Sequence, residues 1–375
     1  MAKYLRKTFT KVNQEKHYQF HGLFKSAVNL ACKYGELDIL KAFQDLNILN
    51  DVINTADTEI RKMMKERYLK DHPTYTFLEP YLEEEEFYMP YHIACENGHL
   101  EIVKMLSAIY KDPIDSNPFH LTSLDYAVSG NHHHVVKYMI EKKFTIHYRY
   151  ESRDDWGCTV FHRAARYSDA KMLDLLLNVA RQDMDYTYDI ITEPTSYNAN
   201  ITVLSEACEV GKFENVKFLY DWLEKCPDED DIHYDDYDED IDIQEPNEFG
   251  MSPLHRAASN GHLDIVKYLI SKGANPNIDD TFGNTAIHHA LLMKDPVNYH
   301  VYNLDLTEPS HLTESHIETV KFLASICKNP NKPNVVGKTP EYYALRCDNG
   351  KEILPFITGK KIRKELRHSV YEASL

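Results

Sequence analysis

Apolar residues along this chain recur in a two-part pattern that is repeated many times. The first part is a short apolar segment centred on small residues, as in Leu254-His255-Arg256-Ala257-Ala258. The second places apolar residues at i, i+3 and i+4, as in Ile102-Val103-Met105-Leu106 and Val216-Phe218-Leu219, the mark of an amphipathic helix. Residues 250–280 show the whole unit. Pro253 supplies a fixed φ at a helix start, Ala257 and Ala258 allow a second helix to come close, Gly261 permits a left-handed turn, and Gly273 ends the second helix. The spacing therefore predicts a helix–turn–helix unit. Such a unit cannot bury its apolar face alone, so it predicts neighbours.

The neighbours are marked by the first alanine of each leading helix, at Ala31, Ala94, Ala127, Ala164, Ala207, Ala257, Ala290 and Ala344. The intervals are 63, 33, 37, 43, 50, 33 and 54 residues. The shortest matches a repeat of about 33 residues, and the longer ones require insertions. Motifs such as Ser252-Pro253-Leu254-His255, Tyr91-His92-Ile93-Ala94, Phe161-His162-Arg163-Ala164 and Thr339-Pro340, with Gly98-His99 and Gly261-His262 at the turns, resemble the ankyrin repeat. The resemblance implies an all-α ankyrin-repeat solenoid over residues 1–375, with units near 20–49, 88–118, 119–150, 154–185, 198–224, 248–280, 281–333 and 334–358. The first and last units are the weakest matches, as befits caps. Insertions are expected near 50–86, 224–247 and 294–314, and a C-terminal tail over 359–375.

Composition narrows the function. With 42 basic and 59 acidic residues, the net charge of −17 argues against nucleic acid as the main partner. No run of about 18 apolar residues offers a membrane span, and the N-terminus lacks the apolar stretch of a secretory signal. Seven cysteines show no paired spacing. Cys32, Cys95 and Cys208 take the second-alanine position, where a thiol acts as a small hydrophobe, which favours a reducing cytoplasm. Between Asp228 and Glu248 twelve residues are acidic and none is basic. The segment reads as a solvated loop or as an arm for a basic patch. A calcium loop is the third reading, but the required glycine turn and ligand spacing are missing.

Catalytic signatures are absent. Gly337-Lys338-Thr339 lacks the upstream glycine and strand of a phosphate loop. Neither a nucleophile elbow nor a zinc-protease helix occurs. The resemblance gives His92, His162, His255 and His288 a structural place at the leading-helix starts, where the ring ties neighbouring loops. His99 and His262 follow the turn glycine. In His132-His133-His134, Asn131 stands in for that glycine, and adjacent rings point apart, against a shared metal. The enzyme alternative is a cysteine–histidine hydrolase using Cys158 and His162, without an orienting third group.

The resemblance implies a non-catalytic scaffold that binds a protein on the concave face, as a monomer, with no cofactor, metal or membrane. Loop tips and leading-helix ends would carry the contacts. The tips contribute Phe119, Trp156, Phe249 and Phe282, and the helix ends Glu96-Asn97, Arg166-Tyr167, Glu209-Val210 and Ser259-Asn260. Trp156, Arg166 and Tyr167, in one unit, are the expected anchors, since aromatics and arginine dominate interface hot spots. The long insertions and the Lys/Asn/Ile/Tyr-rich composition also resemble ankyrin proteins that intracellular bacteria deliver into host cells. A eukaryotic cytosolic adaptor accounts for the same residues.

Overall fold

The computed structural model describes residues 27–45, 49–50, 53, 89–109, 121–142, 157–183, 201–225, 246–247, 249–292 and 311–359. Most of the expected insertions, the C-terminal tail, Phe119 and Trp156 lie outside these residues. The described residues form helices and turns, with one isolated bridge between Asp279 and Thr285. They belong to two compact units, Met1–Asp155 and Trp156–Leu375.

Unit 1 holds α1 (27–34) and α2 (Leu37–Asp45), α3 (Pro90–Glu96) and α4 (Leu100–Ser107), and α5 (Ser123–Ser129) and α6 (His133–Glu141). Here α3 packs on both α4 and α5, and α6 on both α5 and α4. Unit 2 holds five pairs: α7 (Val160–Tyr167) with α8 (Ala170–Asp183), α9 (Val203–Glu209) with α10 (Phe213–Lys225), α11 (Pro253–Ser259) with α12 (Leu263–Ser271), α13 (Ala286–Leu292) with α14 (Glu314–Ile326), and α15 (Pro340–Ala344) with α16 (Leu354–Thr358). Each leading helix of unit 2 packs on the next, from α7 to α15, and each second helix packs on the next, from α8 to α16. The result is two layers of helices.

The sequence explains why the layers close. All eight marker alanines are buried, and the residue after seven of them is also small or apolar and buried, as with Cys95, Ala165 and Ala258. Small side chains let helix axes approach without a void. Leading helices start at Thr122, Thr159, Ser252 and Thr339, where hydroxyls or the third helical residue satisfy free backbone donors. Between helices the chain turns through left-handed residues. Gly261 has φ +69°, and Asn131 is the one non-glycine with positive φ among the described residues, at +57°. That agrees with its expected substitution for glycine.

The histidines join one pair to the next. At the start of α7, α11 and α13 the rings of His162, His255 and His288 accept at Nδ1 from the backbone N–H of Thr159, Ser252 and Thr285. Their Nε2 atoms donate forward to the carbonyls of Ile201, Ile278 and Lys338. Second-helix residues reach backward. His99 donates to the Lys33 carbonyl, His132 to Glu96, His262 to Glu209 and His316 to Ser259. In α10 an asparagine does this work: Asn215 Nδ2 lies 3.0 Å from the Ala165 carbonyl and 3.1 Å from that of Ser168. Asn215 is 2% exposed. Asn215→Ala should therefore cost about 1–3 kcal/mol, because buried carbonyls lose their donor. Chemical denaturation would measure it, and a loss below about 0.3 kcal/mol would mean that water replaces the amide fully.

Candidate partner-binding surface

Unit 2 presents two sets of side chains, one on the hairpins that lead into its leading helices and one at the ends of those helices. The hairpins are built alike. Asn247 Oδ1 accepts from the N–H groups of Phe249 and Met251. Asp280 Oδ1 accepts from Phe282 and Asn284, and Asn334 Oδ1 from Val336 and Lys338. A short polar side chain folds the backbone this way in an Asx turn. Successive tips are stitched together by Thr281 N–H to the Phe249 carbonyl and Val335 N–H to the Phe282 carbonyl, at 2.9 and 3.0 Å. Phe249, Phe282 and Val336 therefore hold the same position in three consecutive tips. The two phenylalanines are half-buried, while Val336 is exposed. Trp156 and Phe119, the other expected tip aromatics, lie outside the described residues.

Charged groups line the helix ends. Arg166 at the end of α7 pairs with Glu206 at 2.8 Å and with Glu209 at 3.3 Å, both on α9. Glu209 also takes Arg256 of α11, whose side chain is 1% exposed. Two arginines and two carboxylates thus alternate across three helices. Burial pushes the Glu206 carboxyl up, and Arg166 opposes that shift. Burial also disfavours the Arg166 cation, but the charge and hydrogen bond of Glu206 outweigh it, so the guanidinium is held more firmly protonated. Tyr167 stands beside it, 47% exposed, with the guanidinium carbon 5.9 Å from its ring centre.

Other expected contact residues are placed differently. Ser259 is buried, at 6% exposure. Its carbonyl receives His316, so α14 covers it and its side chain offers no surface. That expectation is corrected. Asn260 is exposed, and its amide donates to the Arg256 carbonyl, closing the end of α11. In unit 1 Asn97 does the same for α3 through the Ile93 carbonyl, and the Glu96 carbonyl is taken by His132. Both are half-buried. Arg256 escaped sequence reasoning because it sits at the variable position of the Leu-His-x-Ala motif. The hydrolase reading finds no support in the geometry. Both ring nitrogens of His162 are engaged in the fold, Nδ1 with Thr159 and Nε2 with the Ile201 carbonyl.

Comparison with known proteins agrees with the geometry. Family models described as ankyrin repeats match residues 74–149 and 204–304, and a second matches 124–177. An ankyrin repeat protein of fowlpox virus (strain NVSL) is 30% identical over 112 residues, covering 30% of this chain and 21% of its own. Alpha-latrocrustotoxin-Lt1a of Latrodectus tredecimguttatus is 57% identical over 37 residues, 10% of this chain and 3% of its own. The chain thus matches about a fifth or less of the length of these relatives. Among solved structures, the human ASB11 ankyrin repeat domain aligns with 70% of this chain and 90% of its own, at 15% identity and a TM-score of 0.43. Together the two models cover more than half of the sequence, and their ranges include six of the eight marker alanines: the chain belongs to the ankyrin-repeat family.

Proposed function

We propose that this chain is a non-catalytic module that grips a protein partner with the helix ends and hairpin tips of unit 2. Ankyrin repeats are, as a class, protein-interaction modules. The observation that carries the reading here is Tyr167, half-exposed beside an arginine that two carboxylates hold in place. An aromatic ring and a guanidinium already ordered before binding lose little conformational freedom on contact. Asn260, Phe249 and Phe282 extend the surface within unit 2.

The same reading has the chain act as a monomer and leave nucleic acid alone, in keeping with its charge of −17. Its setting is a reducing cytoplasm, since Cys32, Cys95 and Cys208 are buried as packing groups and burial pushes their thiols well up. An effector delivered into a host cell and a resident adaptor would use this surface alike. A translocation reporter fused to the chain separates the two.

A photo-crosslinking residue introduced at Asn260 should capture the partner from intact cells. Tyr167→Ala should then reduce capture about thirty-fold, the equivalent of about 2 kcal/mol for a lost hot spot. Melting should stay at the wild-type value because the ring is half in solvent. Equal capture by a folded Tyr167→Ala chain rejects this face.

A further inference from the structure

The terminal repeat carries a second feature that the Tyr167 surface does not use. Lys338, at the base of the last hairpin, has its ammonium 4.8 Å from the ring centre of Tyr342. Arg346, one helical turn beyond Tyr342, has its guanidinium carbon 3.6 Å from the same ring centre. The two cations thus lie within about one Debye length of each other, and neither has an acidic partner among the described residues. Nearby cations do: Lys332 pairs with Asp279, Lys321 with Glu318 and Glu352, and Lys272 with Glu224. A guanidinium stacked by its face keeps its in-plane N–H fork for an approaching carboxylate. Arg346 uses one of those donors weakly, on the Tyr342 carbonyl at 3.5 Å.

In the same hairpin, three and two residues before Lys338, stand Val335 and Val336, 69% and 61% exposed. Val335 is the most exposed large apolar side chain among the described residues. The tip is not free to fold away. Asn334 holds the backbone N–H groups of Val336 and Lys338, its amide donates to Asn284, and Val335 N–H is bound to the Phe282 carbonyl. The charge balance of the chain reverses here as well. The described residues 328–359 contain five Lys or Arg against three Asp or Glu, in a protein whose net charge is −17.

We propose that Lys338, Tyr342 and Arg346, with Val335 and Val336, form a docking site for a short acidic segment of a partner protein. Its carboxylates would sit at the two cations, and an adjacent aliphatic side chain would lie on the valines. The valine pair favours a peptide over a nucleic acid, whose binding grows with the number of phosphates neutralised. The site is separate from the Tyr167 surface and survives if that surface proves wrong.

The test uses the full chain and a fluorescein-labelled peptide that alternates glutamate pairs with leucines, read by anisotropy at low salt. The chain should bind this peptide, and the double variant Lys338→Gln with Arg346→Gln should bind at least tenfold more weakly with unchanged melting. Val336→Asp should weaken it comparably, while Tyr167→Ala should bind as wild type. The same peptide with glutamine for glutamate should bind at least tenfold more weakly to the wild-type chain. Several outcomes overturn the proposal: no binding of the glutamate peptide, equal binding by the double variant, or tighter binding of a single-stranded oligonucleotide of equal length. A tenfold gain in affinity on deleting residues 228–247 also overturns it, because the occupant would then be the chain's own acidic segment.

Discussion

Glu209→Ala is expected to destabilise unit 2 by about 3–5 kcal/mol, the cost of stranding a buried charge. The reason lies in Arg256. Its side chain is 1% exposed, and Glu209 is its one directly paired carboxylate among the described residues. The Nη2 atom of Arg256 already lacks a hydrogen-bond partner, so removing Glu209 leaves the buried guanidinium without a direct ion pair, and only the more distant charge of Glu206 acts on it. Arg166 fares better in the same variant, because it keeps Glu206 and is 37% exposed. Replacing both Glu209 and Arg256 by leucine should restore most of the loss, since a packed apolar pair removes the desolvation cost along with the attraction. Denaturant unfolding of the three variants would measure this order. A Glu209→Ala chain within about 0.5 kcal/mol of wild type would show that the network contributes nothing, as many exposed ion pairs do.

Acid is expected to unfold the stack at pH values where most carboxylates remain ionised. Burial lowers His288 from 6.5 to about 4 and, with the neighbouring His289, lowers His255 to about 3. Both rings are neutral in the fold, accepting at Nδ1 from a backbone N–H, and a proton there would face that donor. The unfolded chain takes up these protons first, so stability is full above pH 6.5 and falls as the pH drops toward the folded values. At pH 5 the loss from His288 alone is about 2 kcal/mol. Glu206 works in the opposite direction, since burial raises it and the fold retains its proton longer. His288→Gln keeps an acceptor for the Thr285 N–H, so it should flatten the melting-temperature profile between pH 7 and 5. A variant whose profile matches wild type would place the titrating group elsewhere.

The fold was legible because its determinants are local. Pro253 and Ser252 begin a helix, Gly261 turns it, and Ala257 with Ala258 sets the approach, all within one repeat. The exposed pair Arg166 and Tyr167 was legible for the same reason, by position after the alanines. The Glu209–Arg256 contact was not. It joins helices whose sequence separation includes the acidic segment between Asp228 and Glu248, and helical periodicity carries no information across such a gap. Ser259 failed for a related reason: the residue that buries it, His316, arrives after a long insertion. The Lys338–Tyr342–Arg346 group could have been found, since Tyr342 and Arg346 are one turn apart, but the stacking of two cations on one ring depends on the hairpin geometry.

The inter-repeat histidines face opposite ways, and this gives growth of the chain a direction. During synthesis the N-terminal repeats leave the ribosome first. When α12 emerges, His262 finds the Glu209 carbonyl already made, and the same holds for His316 and Ser259. The forward-pointing rings must wait: His255 needs Ile278, and His288 needs Lys338. The α11–α12 and α13–α14 pairs therefore latch backward as they form and are completed one repeat later, so a stack that stops at either pair ends in a ring whose Nε2–H still meets water.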